Sequence, residues 1–328
     1  MIIIFGGTTE GRTAAQVLDE AGSPYYYSTR GNAQQIECKH GTRVTGGMDR
    51  NAMLEFCMTH NIRLIIDAAH PFASLLHATV ASVSEQLDIP VIRLERRYPP
   101  RDESLVWCDT FDDAIDYLES HEINHLLALS GVQTINKLRR YWEKHPCHFR
   151  VLDREDSRSL ARQAGFPEKN LLFWHEEQDE LALFRQLHPG AILTKESGES
   201  GYYEEKINAA RQLGIPVIVI RRPPLPDSFY TVNGKHGLRY RVERLLPGFY
   251  PLRSGFTTGS CATAATRAAL LGLLTQEIQN SATIALPDGE TVTLPVSTCV
   301  ITDSDCTCGV TKDAGDDPDV TNGHTILS

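Results

Sequence analysis

An apolar run, a glycine pair and a helix-starting stretch open the chain: Ile2-Ile3-Ile4-Phe5-Gly6-Gly7-Thr8-Thr9-Glu10-Gly11-Arg12. Glycines carry no Cβ, so a diphosphate can approach the backbone, and the N-terminus of the following helix offers N–H groups and a favourable dipole. The spacing is a variant of the dinucleotide fingerprint, with Gly6 and Gly11 in the outer glycine places and Thr8 in the middle one. Gly6, Gly7, Thr8, Thr9 and Glu10 are therefore candidates to hold a nucleotide; the bland alternative is a glycine turn with a threonine cap. The end of the second predicted strand bears on which nucleotide. A NAD site usually places a carboxylate there for the ribose 2′-hydroxyl. This chain has Ser28-Thr29-Arg30-Gly31 instead. Hydroxyls and a guanidinium suit a 2′-phosphate, which favours NADPH and leaves NADH as the alternative.

Ligands of parallel sheets gather outside the carboxyl ends of the strands. Gly46, Gly47, Asp67, His70, Pro71, Phe72, Ala73 and Gly131 all follow predicted strands, so they are expected to converge on the bound cofactor or substrate. The strands that must position them are predicted at 1–5, 25–28, 43–45, 64–67 and 91–94, with helices at 8–21, 51–60 and 72–87 between them. Such alternation implies parallel pairing with right-handed crossovers. The stretch Glu95-Arg96-Arg97-Tyr98-Pro99-Pro100-Arg101-Asp102-Glu103 cannot continue a helix or central strand and reads as a linker, its arginines as a solvated run. The rhythm resumes with helices at 111–120, 134–144, 157–164 and 203–213 and strands at 125–129, 149–153, 191–194 and 217–220. Two Rossmann-like parallel-sheet domains, 1–98 and 99–248, are expected with a ligand cleft between them. Beyond Arg253 the texture changes to a small-residue helix at 261–274 and two antiparallel strands, a partial α+β segment over 249–328.

Composition sets the outer bounds. The net charge of −10 disfavours nucleic acid as a partner, since phosphate backbones demand basic surface. Residues 249–328 hold three Lys/Arg against nine Asp/Glu, net −6, which leaves −4 for the rest and supports a boundary near Pro247-Gly248. No apolar run approaches the ~20 residues of a membrane helix, so neither a membrane partner nor a leader is expected, and a cytoplasmic location is. The eight cysteines show no framework spacing. Reduced thiols and no metal site are the expectation, the acidic cluster Asp313, Asp316, Asp317 and Asp319 included.

Asp67-Ala68-Ala69-His70-Pro71-Phe72-Ala73, taken with the opening Gly-Gly-Thr-Thr-Glu, resembles the precorrin-6A reductase family of cobalamin biosynthesis. Leu193-Thr194-Lys195-Glu196-Ser197-Gly198 and Lys206-Ile207-Asn208-Ala209-Ala210-Arg211 agree with it. The resemblance covers about residues 1–224 and implies NAD(P)H-dependent reduction of one ring double bond of precorrin-6A, or of its cobalt form, to the 6B product. Arg253-Ser254-Gly255-Phe256-Thr257-Thr258-Gly259-Ser260 and Lys312-Asp313-Ala314-Gly315-Asp316-Asp317-Pro318-Asp319 resemble the start of the CbiD cobalt-precorrin-5B C1-methyltransferases. That implies a truncated methyltransferase segment whose complete form would use S-adenosylmethionine, and it points to the cobalt-bearing substrate. Two rival readings remain: a methyltransferase as the main activity, or a non-catalytic nucleotide-binding scaffold.

A tetrapyrrole substrate with many acetate and propionate groups requires cations and anion cradles. Lys195, Ser197, Gly198, Lys206 and Arg222, with Gly131, are the substrate-binding candidates because they stand at strand ends or on the next helix of the second domain. The proton that accompanies a hydride could come from His70, whose imidazole titrates near neutrality, and Lys195 is the second catalytic candidate. Asp67 is expected to cap its turn. Contacts with neighbouring corrin-pathway enzymes are compatible with such a fusion.

Overall fold

A computed structural model describes residues 1–31, 36–175 and 179–328, apart from the side chain of residue 200. Contacts divide the chain into two compact units, residues 1–96 with 225–328 and residues 97–224.

The first unit begins with β1 (Ile2–Phe5), α1 (Thr9–Asp19), β2 (Tyr25–Thr29), β3 (Gly41–Thr45), α2 (Arg50–Thr59), β4 (Leu64–Asp67), α3 (Ser74–Leu87) and β5 (Val91–Leu94). β1, β4 and β5 are buried along their whole length, which is why they read as continuous apolar runs rather than alternating ones. The second unit contains β6 (Val106–Cys108), α4 (Phe111–Ser120), β7 (Leu126–Ala128), α5 (Arg139–Trp142), β8 (Cys147–Leu152), α6 (Glu155–Gln163), β9 (Leu171–Trp174), α7 (Glu180–Leu187), β10 (Ala191–Lys195), α8 (Tyr203–Gln212) and β11 (Val217–Ile220). Its strands form a parallel sheet in the order β6-β11-β10-β7-β8-β9. The helix expected over 134–144 is broken instead: two 3-10 turns, Val132–Thr134 and Asn136–Leu138, precede the single turn of α5.

The chain then returns to the first unit. β12 (Tyr230–Val232) pairs in parallel with β5, and α9 (Gly234–Leu245) packs beside α1, with Leu238, Val242 and Leu246 joining the core of Ile2, Ala14 and Leu18. Residues 225–248, which the strand rhythm had assigned to the second domain, thus complete the first sheet. Its order is β3-β2-β1-β4-β5-β12, all parallel. In sequence order that is 3-2-1-4-5-6, whose direction reverses between β1 and β4.

The last segment holds α10 (Thr258–Thr275), the hairpin β13 (Ser281–Ala285) and β14 (Thr291–Pro295), and the three-stranded β15 (Thr298–Ile301), β16 (Cys306–Thr311) and β17 (Thr325–Leu327). It has a small core of its own, in which Ala264, Ala265 and Ala268 of α10 meet Ile284, Leu294 and Val310. Its hairpin also closes α9: the buried Glu290 carboxylate accepts from the N–H groups of His236 and Gly237 at the start of that helix, where a negative charge is favoured. Among the described residues no helix is long and apolar enough to cross a membrane.

Candidate functional site

The reversal between β1 and β4 brings the Gly6-Gly7-Thr8 turn beside the loop 68–73. Thr8 joins them: its hydroxyl donates to the Ala68 carbonyl at 2.6 Å and accepts from the Gly11 N–H at 3.0 Å, capping α1. Thr8→Val should therefore cost about 1–2 kcal/mol, a cap and a hydrogen bond together, read by denaturant unfolding with coenzyme affinity measured beside it. The glycines divide their work. A Cβ on Gly6 would lie 2.3 Å from the Tyr27 hydroxyl, and one on Gly11 would lie 2.6 Å from the same oxygen, so both make room for the Tyr27 ring under α1. Gly7, at φ +97°, has nothing within 4 Å of its Cβ position, so the turn is open there, while its N–H donates to the Tyr27 hydroxyl at 3.2 Å. Thr9 and Gly7 are exposed at this edge.

Beneath the turn lies a buried polar network that the sequence reading did not find. Arg93 of β5, 1% exposed, donates through Nη1 to Asp67 Oδ1 and to the Ala69 carbonyl, both at 2.9 Å, and through Nε and Nη2 to the Glu95 carboxylate at 3.3 Å. The other Asp67 oxygen is 2.5 Å from His77 Nδ1, and Asp67 caps its own turn at the Ala69 N–H, as expected. Burial alone would raise the Asp67 carboxyl, but the bond to His77 and the Arg93 charge outweigh it and hold the group below its ordinary range. Glu10, expected at the nucleotide, is buried and paired with Arg96 at 3.1 Å; Arg96 is correspondingly no member of a solvated run. Each of these charges is matched because an unpaired one at this depth would cost several kcal/mol.

The network holds the loop that carries His70. His70 is partly buried, and its Nδ1 faces the Phe72 N–H at 3.2 Å, accepting a hydrogen bond that leaves the proton of a neutral ring on Nε2. Phe72 and Ala73 are partly exposed beside it, and Pro71 is buried. At the end of β2, Ser28 and Thr29 are buried, with the Thr29 hydroxyl bonded to the Gly31 carbonyl, whereas Arg30 is exposed. Gly46, at φ +120°, and Gly47 are exposed at the end of β3.

The second unit has its own reversal, between β7 and β10, where Leu129 N–H meets the Leu193 carbonyl. Gly131, at φ +84°, and Gly198, at φ +68°, stand after the two strands. Lys195 ends β10; burial and the like charge of Lys137 push its ammonium down to about 8. Lys206 behaves differently from expectation. It is buried, donates to the Gly201 carbonyl at 2.7 Å and so fixes the turn that follows Ser197; burial first, then the Arg150 charge, pushes it down to about 8. Arg222 lies 3.6 Å over the Tyr98 ring and reaches the buried Glu196 carboxylate, which Arg101 grips at 3.0 and 3.1 Å. Arg101 therefore has a fixed partner, and Glu196 is an organiser that sequence reasoning passed over.

In the C-terminal segment, two sequence motifs interlock backbone to backbone. A Cβ on Gly255 would lie 2.1 Å from the Ala314 carbonyl carbon, and one on Gly315 2.3 Å from the Arg253 oxygen. Gly255 and Ala314 line an open hollow of about 370 Å³ with Thr257, Thr258, Gly259 and the buried Lys312, whose ammonium binds Thr258, Asp319 and Thr321. Two more of the acidic cluster have cationic or backbone partners: Asp313 pairs with Arg244 and Arg253, and Asp316 accepts from the Arg253 N–H.

A parallel 3-2-1-4-5-6 sheet with a glycine turn and a capped helix N-terminus at its reversal defines a Rossmann-type nucleotide-binding protein. The family model described as precorrin-6x reductase CbiJ/CobK matches residues 1–237, and a CbiD model matches residues 248–328. The chain belongs to the precorrin-6x reductase CbiJ/CobK family, and so to the oxidoreductases of cobalamin biosynthesis, with a CbiD segment fused behind it. It is 32% identical to a precorrin-6A reductase of Rhodococcus erythropolis over 72% of this chain and 94% of that protein. A solved CobK precorrin-6A reductase has the same fold, with a TM-score of 0.61 and 22% identity over 76% of this chain and 98% of that one. The last segment is 52% identical over 77 residues to a cobalt-precorrin-5B C(1)-methyltransferase of Geobacillus kaustophilus, of whose length the chain spans 21%.

Proposed function

We propose that the chain reduces one ring double bond of cobalt-precorrin-6A, or of its metal-free form, with NADPH. The observation that carries this is the reversal between β1 and β4, where the open turn at Gly7, the N-terminus of α1 and the His70 loop share one sheet edge. These residues fit a dinucleotide: a diphosphate needs close backbone approach and a helix N-terminus, and both are present. Gly7, Thr8 and Thr9 would hold that diphosphate, Arg30 the 2′-phosphate, and Gly46, Gly47 and the loop 70–73 the remainder.

When bound, the nicotinamide supplies a hydride to one ring carbon. In its imidazolium form His70 would supply the proton from Nε2–H to the neighbouring carbon; as the neutral ring whose Nδ1 accepts from the Phe72 N–H it would orient the substrate through Nε2–H. Lys195 and Arg222, with the Ser197-Gly198 turn and Gly131, bind substrate carboxylates, while Lys206 shapes that turn from behind. S-adenosylmethionine belongs at the Thr257-Thr258-Gly259 hollow, in a complete methyltransferase only. The small-molecule tetrapyrrole and work in the cytoplasm rest on the cobalamin-pathway family to which the chain belongs.

The test is anaerobic oxidation of NADPH on adding cobalt-precorrin-6A, with NADH in parallel. Stoichiometric oxidation and a matching change in the corrin spectrum are expected; coenzyme binding without oxidation would leave a nucleotide-binding scaffold in its place. Arg30→Ala should weaken NADPH about tenfold or more, the worth of one charge-assisted bond, and leave NADH nearly unchanged. Equal losses for the two coenzymes would remove Arg30 from the 2′-phosphate site.

A further inference from the structure

Three cysteines that lie apart from the reductase site converge in the C-terminal segment. β15 and β16 are antiparallel, with Cys299 directly opposite Cys308, and Cys306 two residues from Cys308 on the same face. Cys308 Sγ is 3.1 Å from Cys299 Sγ and 3.9 Å from Cys306 Sγ, and all three sulfurs lie within 4.8 Å of one another. Tetrahedral thiolates around a zinc-sized ion at ~2.3 Å stand roughly 3.8 Å apart, so this triangle needs only small side-chain adjustments to close on a metal.

The surroundings suit thiolate ligands. The Gln279 N–H, in the segment after α10, points at Cys299 Sγ at 3.5 Å, the kind of backbone donor that orients and stabilises a ligating sulfur. Gly272 of α10 leaves the space that Cys306 occupies; a Cβ there would lie 2.8 Å from its sulfur. Cys308 is buried, while Cys299 and Cys306 are partly exposed, so an ion could enter from the Cys299–Cys306 side and keep a fourth position open.

We infer that Cys299, Cys306 and Cys308 form a three-thiolate site for a soft closed-shell cation. Zn(II) would take a fourth ligand from solvent or a bound molecule, and Cu(I) would be satisfied by three sulfurs. Each thiol that binds releases its proton, and no electron changes hands. This site goes beyond the expectation drawn from cysteine spacing, because the pairing of Cys299 with Cys308 is set by the strand register and not by proximity along the chain.

The full chain, reduced with a phosphine, would be titrated with Co(II), Zn(II) and Cu(I), the last two against chromophoric chelators. One equivalent of Zn(II) or Cu(I) is expected, and with Co(II) an intense sulfur-to-cobalt charge-transfer band. Cys306→Ser, partly exposed and safe for folding, and Cys299→Ser should each weaken binding at least tenfold, while Cys57→Ser changes nothing. Unaltered far-ultraviolet circular dichroism would show that the variants stay folded. Uptake equal in wild type and Cys306→Ser, a cobalt spectrum without the sulfur band, or no bound ion at all would overturn the inference and leave three small apolar side chains in a core.

Discussion

Arg93→Met is expected to destabilise the first unit by about 3–5 kcal/mol, because it leaves two buried carboxylates facing one another without their cation. Arg93 binds Asp67, Glu95 and the Ala69 carbonyl at once, and 1% exposure gives water no access to replace it. For a unit of this size the loss corresponds to roughly 10 °C in Tm. The Asp67 side of the network contributes fully above its ordinary value of 3.8 and fades only as pH falls through its depressed folded value, so the defect persists at neutral pH. The double variant Asp67→Asn with Arg93→Met removes one of the stranded charges and should recover part of the Tm. Thermal unfolding with each variant decides the matter; a single variant within 2 °C of wild type would mean that water or a rearranged Arg96 takes over. Because Ala69 opens the loop carrying His70, coenzyme affinity should fall in parallel.

The same network marks the limit of what the amino-acid sequence makes legible. The strands at 64–67 and 91–94 were evident because they are buried on both faces, and the glycine turn because its spacing has a mechanism. Arg93, by contrast, is one cation in an apolar run, and nothing in the run says that Asp67 and Glu95 meet it; only the parallel register of β4 and β5 sets Asp67 beside Arg93. Arg96 and Arg101 illustrate the converse. In the sequence they form a charge-dense, proline-rich stretch, yet one is buried against Glu10 and the other grips Glu196. Residues 225–248 were misassigned for a related reason: β12 has three residues, and the fact that they return to β5 is a matter of topology with no local signal. The helix expected at 134–144 failed locally, since Gly131 and the Thr134 hydroxyl, which bonds the Gly131 carbonyl, favour tight turns before α5. Of the candidate site residues, Gly7, Thr8 and Asp67 stand in the turns that their spacing implies, whereas the partners of Glu10, Lys206 and Arg222, namely Arg96, the Gly201 carbonyl and Glu196, have no local signal.

Lys195 is where the substrate side can be tested with the next largest effect. Its ammonium, lowered to about 8, is charged at neutral pH and attracts carboxylates, but is half neutral near pH 8. Lys195→Met should lower kcat/KM for the corrin roughly 100-fold, the worth of one partly desolvated ion pair, while the coenzyme Kd stays the same. The sign of the pH dependence follows from the cation: kcat/KM falls as pH rises through about 8 in the wild type, and that break vanishes in Lys195→Met. Lys137 supplies a control, because its like charge contributes to the depression after burial. Lys137→Met should shift the break upward and widen the pH range in which substrate binds. A break that survives Lys195→Met belongs to another group, His70 included, and would move the carboxylate-binding role away from the end of β10.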